Sequence, residues 1–143
     1  MPIVGFNFDK IVVEKLNPIR GKVQVKNNMS IKDVKQQELL LGRKKENVLK
    51  FSFEFSSEYE PKIGLISIKG HILFMEEASE VKKIMDNWKK NKTLPQDLMS
   101  HLLNTVLMRC NVKTLVLAHE VNLPPHIRLP TISPNVKASD YIG

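Results

Sequence analysis

An α+β fold, a four-stranded antiparallel sheet covered on one face by helices, is what this sequence predicts, and three observations carry it. Leu49, Phe51, Phe53 and Phe55 recur at every second residue, with Lys50, Ser52 and Glu54 between them. That is the period of a β-strand with one buried and one wet face. Three further strand-like stretches lie within residues 3–74, separated only by short polar turns, so successive strands run antiparallel. Beyond residue 75 the apolar spacing changes to three and four, the period of a helix. The 143 residues read as one domain: sheet over 3–74, helices over about 76–120, and a Pro-rich extended arm over 121–143.

The first strand, 3–15, begins with Val4, Phe6 and Phe8 on one parity and continues with Ile11 and Val13 on the other. A bulge near Asp9-Lys10 keeps the same face buried through that slip. Asn17-Pro18 and Gly21 mark the turn that ends it. Val23 and Val25 alternate with polar neighbours, and Ile31, Val34 and Leu39-Leu40-Leu41 carry the strand on after a bend. Gly42–Asn47 and Ser56–Pro61 are polar turns on either side of the Phe strand. Ile63 to Phe74 makes the fourth strand, with Ile66, Ile68, Ile72 and Phe74 on one face and Lys69 and His71 on the other.

Ala78, Val81, Ile84, Met85 and Trp88 form one helical stripe. Glu76, Glu77 and Glu80 stand at its start and Lys89, Lys90 and Lys92 at its end, the charge order that complements a helix dipole. Thr93 and Gln96 have the spacing of a capping box. The longer helix that follows carries Leu98, Leu102, Val106 and Cys110 on one stripe and extends to about His119. Its nearly unbroken run Leu115–Ala118 predicts a helix end buried on more than one side. Four prolines between Asn122 and Pro134 predict extended chain.

Composition narrows the function. No uninterrupted apolar run approaches the roughly 20 residues a membrane-spanning helix requires, which predicts no membrane insertion. The first six residues, Met1 to Phe6, lack the basic and then apolar pattern of a secretory leader, and Cys110 has no second cysteine to pair with. A cytoplasmic protein is the expectation. The net charge of +7 is concentrated in residues 1–50, which hold eleven Lys or Arg against five acids. Such a surplus is either a solvated face or a contact for polyanions, through Lys22, Lys26, Arg43, Lys44 and Lys45.

An enzyme is not expected. His71, His101, His119 and His126 show no metal-ligand spacing with one another or with Cys110, so neither metal nor cofactor is anticipated. There is no Gly-rich phosphate loop and no nucleophile elbow. Glu76, Glu77 and Glu80 fit a first helical turn better than a catalytic pair.

Four strands, a helical region and a Pro-rich close follow one another in the order of the SecB family of export chaperones. Phe6-Asn7-Phe8-Asp9-Lys10-Ile11-Val12-Val13 is similar to that family's first strand. Residues 48–55, the turn at 56–64 and the Gly-containing strand 64–74 resemble its central hairpin. Leu103–Cys110, with Leu123-Pro124-Pro125 and Leu129-Pro130 after it, resembles its first long helix and following loop. The resemblance implies an ATP-independent, homo-oligomeric chaperone for protein transport that binds unfolded polypeptide in apolar grooves. By that analogy Leu16 and Ile19 border the groove, and Met85 and Trp88 line it if exposed. Three features depart from the family: the basic charge, the amphipathic helix over Glu76–Lys92, and the shortness of the chain after Pro130. The alternative expectation is a basic accessory protein that binds RNA or a ribosome through the five cations named above.

Overall fold

The computed structural model describes residues 3–135. The chain runs through β1 (Ile3–Lys15), β2 (Gln24–Leu41), β3 (Lys44–Glu60), β4 (Gly64–Met75), α1 (Ala78–Asn91) and α2 (Gln96–Glu120). All four strands join one antiparallel sheet in the order β1-β4-β3-β2. The predicted α+β class with a four-stranded antiparallel sheet is therefore what the chain adopts.

The Phe row lies at the centre of the sheet. Phe51, Phe53 and Phe55 of β3 are buried, and so are Ile66, Ile68, Ile72 and Phe74 of β4. Ser52, Glu54 and Ser56, on the other parity, are half-exposed. The alternation thus assigns one face to the core and the other to water. Between Phe8 and Lys10 the pairing with β4 shifts by a residue, the bulge expected at Asp9-Lys10. It lets Phe6, Phe8 and Val13 pack against the core, and sets Ile11, which stays exposed, opposite core-facing Ile68. A second shift, between Ile31 and Asp33, is the bend in β2.

Turn positions differ from expectation on both sides of β3. Only Gly42 and Arg43 separate β2 from β3, with Gly42 at φ +67, where a side chain would be strained. At the other end, β3 continues through the stretch predicted as a turn: Ser57 and Tyr59 are buried ladder residues, and the chain reverses over residues 61–63. Polar composition misplaces this turn, because Ser57 finds a partner inside the fold. Its hydroxyl donates to Asn27 Oδ1 at 2.6 Å.

Both helices pack on the core face. α1 lies over β2 and β3, and α2 crosses β4, β3 and β2. α1 buries Val81, Ile84 and Trp88, and α2 buries Leu98, Leu102, Val106, Cys110, Thr114 and Leu117 at three- and four-residue intervals. Glu80 and the pair Lys89 and Lys90 occupy the ends the dipole favours. The capping box does not form. Pro95 is the residue before α2, no side chain caps the first turn, and the Pro95 carbonyl accepts from Met99 N–H at 2.9 Å. A proline there presets the backbone for the first helical turn, which displaces Thr93 from the cap position.

After α2 the described chain contains neither helix nor strand. Its first part docks on its own domain. Leu123 is buried, Tyr59 Oη–H donates to the Pro124 carbonyl at 2.7 Å, and Asn27 Nδ2 donates to the His126 carbonyl at 2.9 Å. The remainder of the expected arm, residues 136–143, lies outside the described residues.

Candidate functional site

The strand order makes β1 an edge. Leu16 N–H, just past its end, donates inward to the Ile63 carbonyl at 2.8 Å. Backbone groups alternate in direction along an antiparallel ladder, so those of Ile11, Val13 and Lys15 turn to the open side. Nothing in the described chain covers this edge with a further strand, and Val4 and Ile11 along it are 39% and 38% exposed.

Next to the edge, on the core face, an apolar groove separates β1 from α2. Phe8, Met108, Arg109, Val112, Lys113 and Val116 line about 400 Å³ of it. Phe6 floors the adjoining region, stacked on Phe53 at 5.2 Å and meeting Phe8 edge-to-face at 5.3 Å. The Arg109 guanidinium lies over the Phe6 ring, 5.2 Å from its centroid. Met108, Val112 and Val116 follow one another at i+4 and stand 62%, 62% and 49% exposed. Val116 also borders a second hollow of about 510 Å³, formed with Leu115, Ala118, Leu123, Pro125 and Leu129 together with the polar residues His119 and Glu120. The two hollows make one apolar strip beside α2. From Met108 to Glu120 the helix advances roughly 18 Å at 1.5 Å per residue. That matches about five residues of extended chain.

Within the run Leu115–Ala118, expected to be buried on more than one side, Leu117 and Ala118 are buried and Leu115 is half-buried, but Val116 is open. The inner stripe has the sheet to pack on, whereas among the described residues no second layer lies above Val112 and Val116. Their i+4 spacing was readable in the sequence as a second apolar side. What could not be read was that no other element among the described residues would cover it.

The polypeptide-binding candidates do not converge. Leu16 is 56% exposed and borders a separate hollow with Tyr59, Pro61 and Lys62, and Ile19 is 41% exposed in the same connection. Met85 is half-buried on α1, and Trp88 is only 6% exposed, part of the core. Trp88 therefore offers no surface to a client. The basic candidates also separate. Lys26 stands opposite Glu58 and pairs with Glu60 at 3.4 Å, with Lys22 nearby, while Arg43, Lys44 and Lys45 occupy the far tip of the β2–β3 hairpin. Fifteen residue steps of strand from Lys26 to Leu41 put the two groups roughly 50 Å apart along the strand.

Three titratable side chains elsewhere, Cys110, Tyr59 and His71, are engaged or inert. Burial pushes the Cys110 thiol up to about 12, which keeps it protonated and unreactive. The buried Tyr59 phenol is likewise raised to about 12 and serves as a donor to the arm. On the outer face His71 Nδ1–H donates to Asp9 Oδ2 at 2.7 Å, and its Nε2 faces the Asn7 amide at 3.3 Å. With both ring nitrogens engaged, His71 clamps the bulge. Among the described residues no three His, Cys, Asp or Glu side chains are grouped to hold a metal ion, and no helix is long and apolar enough to cross a membrane.

Comparison with models of protein families, with curated proteins and with solved structures found no match.

Proposed function

We propose that the chain is an ATP-independent, chaperone-like protein that holds unfolded or extended polypeptide along the β1 edge and the apolar strip beside α2. The observation that carries this reading is the pairing of an open strand edge with a continuous exposed apolar surface. Main-chain groups of a bound segment complete the ladder, and its side chains enter the groove, the general economy of recognition by strand addition. Met108 adapts to side chains of varied shape, which suits a binder of many sequences. The antiparallel sheet backed by a long helix agrees with a SecB-like scaffold, and assembly of several copies belongs to the same proposal.

The test is a titration of a permanently unfolded, carboxymethylated protein at low and high salt, with the mass of the protein and of the complex followed by sedimentation. Binding that survives high salt and is lost in Met108→Ser/Val112→Ser supports the reading. Unaltered binding in that variant would remove the groove from it.

A second reading, contact with RNA or a ribosome, is favoured by the three consecutive exposed cations Arg43, Lys44 and Lys45 at the hairpin tip. A structured RNA in the same titration tests it. Affinity that collapses with salt and with substitution of those three residues by Gln would move the function there.

A further inference from the structure

We propose that the groove between β1 and α2 selects extended segments that carry carboxylates among their apolar side chains, and disfavours basic ones. This rests on the polypeptide-binding reading and names the client class of the same groove.

The argument is charge complementarity. Arg109 and Lys113 are the charged residues lining the groove, one helical turn apart, beside Phe8 and Val112. From Leu98 to His119 α2 contains no acid, so its own helix supplies neither cation with a counter-charge. Among the described residues neither has a carboxylate within ion-pair distance. Asp9, next in sequence to Phe8, is engaged with His71. Arg109 spreads over the Phe6 ring, which holds its guanidinium at the groove wall. Two cations beside an apolar floor, one of them held on the Phe6 ring, attract a carboxylate that flanks apolar residues and repel a lysine in the same place.

Three labelled peptides test this: one apolar core flanked in turn by Glu, Ser or Lys, titrated against the full chain at low salt. The Glu peptide is expected to bind best and the Lys peptide worst. In Arg109→Gln/Lys113→Gln the three should converge, with the Glu peptide losing roughly tenfold, the scale of two partly exposed ion pairs. A melting curve checks that this variant is folded, and Lys113→Gln alone, which leaves Arg109 on Phe6, should give a smaller change in the same direction. Equal binding of all three peptides in the wild type, or a Glu preference that survives the double variant, overturns the proposal. If equal binding is still lost in Met108→Ser/Val112→Ser, polypeptide binding stands and only the charge selection falls. If no peptide binds, both fall. Binding that vanishes as the protein self-associates identifies a second copy as the occupant and also overturns it.

Discussion

The two edges of the sheet are finished differently. At the β2 edge, α1 lies over β2 and β3 and presents one apolar stripe, Val81, Ile84 and Trp88, all of it buried. Apart from Ala78 and half-buried Met85, α1 is polar outside that stripe, and β2 itself shows Lys35, Gln36, Gln37 and Glu38 to solvent. At the β1 edge, α2 buries an equivalent stripe and then exposes Met108, Val112 and Val116 beside a strand that itself exposes Val4 and Ile11. The first edge leaves one large apolar side chain open among the described residues, Leu40 near the hairpin end of β2. The second retains a run of apolar area, Met108, Val112 and Val116, that the described residues do not cover. An amphipathic helix closes a surface, whereas a helix that is apolar on two sides leaves one side for something outside the monomer.

The largest effect should come from within the stripe that is covered. Leu102→Ala removes a fully buried side chain from the α2–sheet interface and should destabilise by about 2–5 kcal/mol, measured by urea denaturation. Gly70→Ala attacks the join between β1 and its neighbours. A methyl there would press on the Asn7 carbonyl oxygen and lie 2.6 Å from Phe53 Cζ. A cost of about 1–3 kcal/mol is expected, and amide exchange along β1 should rise ahead of exchange along β2. Unchanged exchange on β1 would show that Gly70 does not control this edge.

The docked chain after α2 should respond to pH. His126 is buried with Nε2 on Asn111 Oδ1 at 2.8 Å and Phe55 edge-on at 5.9 Å. Those partners are neutral, and burial lowers its pKa from the ordinary 6.5. As pH falls below 6.5 the unfolded chain takes the proton first, so this contribution to stability is held above that pH and lost below it. Urea midpoints should fall between pH 7.5 and pH 5, with His126→Gln flattening part of the slope. A slope identical in the variant would assign the effect elsewhere.

The smallest effect on stability sharpens the comparison most. Val112→Ser, on the uncovered side of α2, should change stability by less than about 0.5 kcal/mol while weakening the binding of unfolded polypeptide. Loss of stability comparable to that of Leu102→Ala would mean that this side of α2 is already covered.

What the sequence by itself determined was local. The alternation at Leu49–Phe55, the slip at Asp9-Lys10 and the change to helical spacing after residue 75 each depend on neighbouring residues, and each reappears in the fold. Short-range patterns failed where a distant partner intervened. Ser57 looked like a turn residue until Asn27 satisfied it, and Thr93 looked like a cap until Pro95 set the first turn. The candidate site was legible only in pieces, as the row Phe6, Phe8, Ile11 and Val13 and as the i+4 series Met108, Val112 and Val116. Tertiary structure decided that β1 pairs with β4 and becomes an edge, that α2 runs beside it, and that Trp88 is enclosed while Val112 is not. It also parted Lys26 from Arg43–Lys45, residues that charge counting had grouped. Periodicity tells a residue which face it occupies; only long-range pairing decides whether that face meets another part of the chain or remains open to solvent.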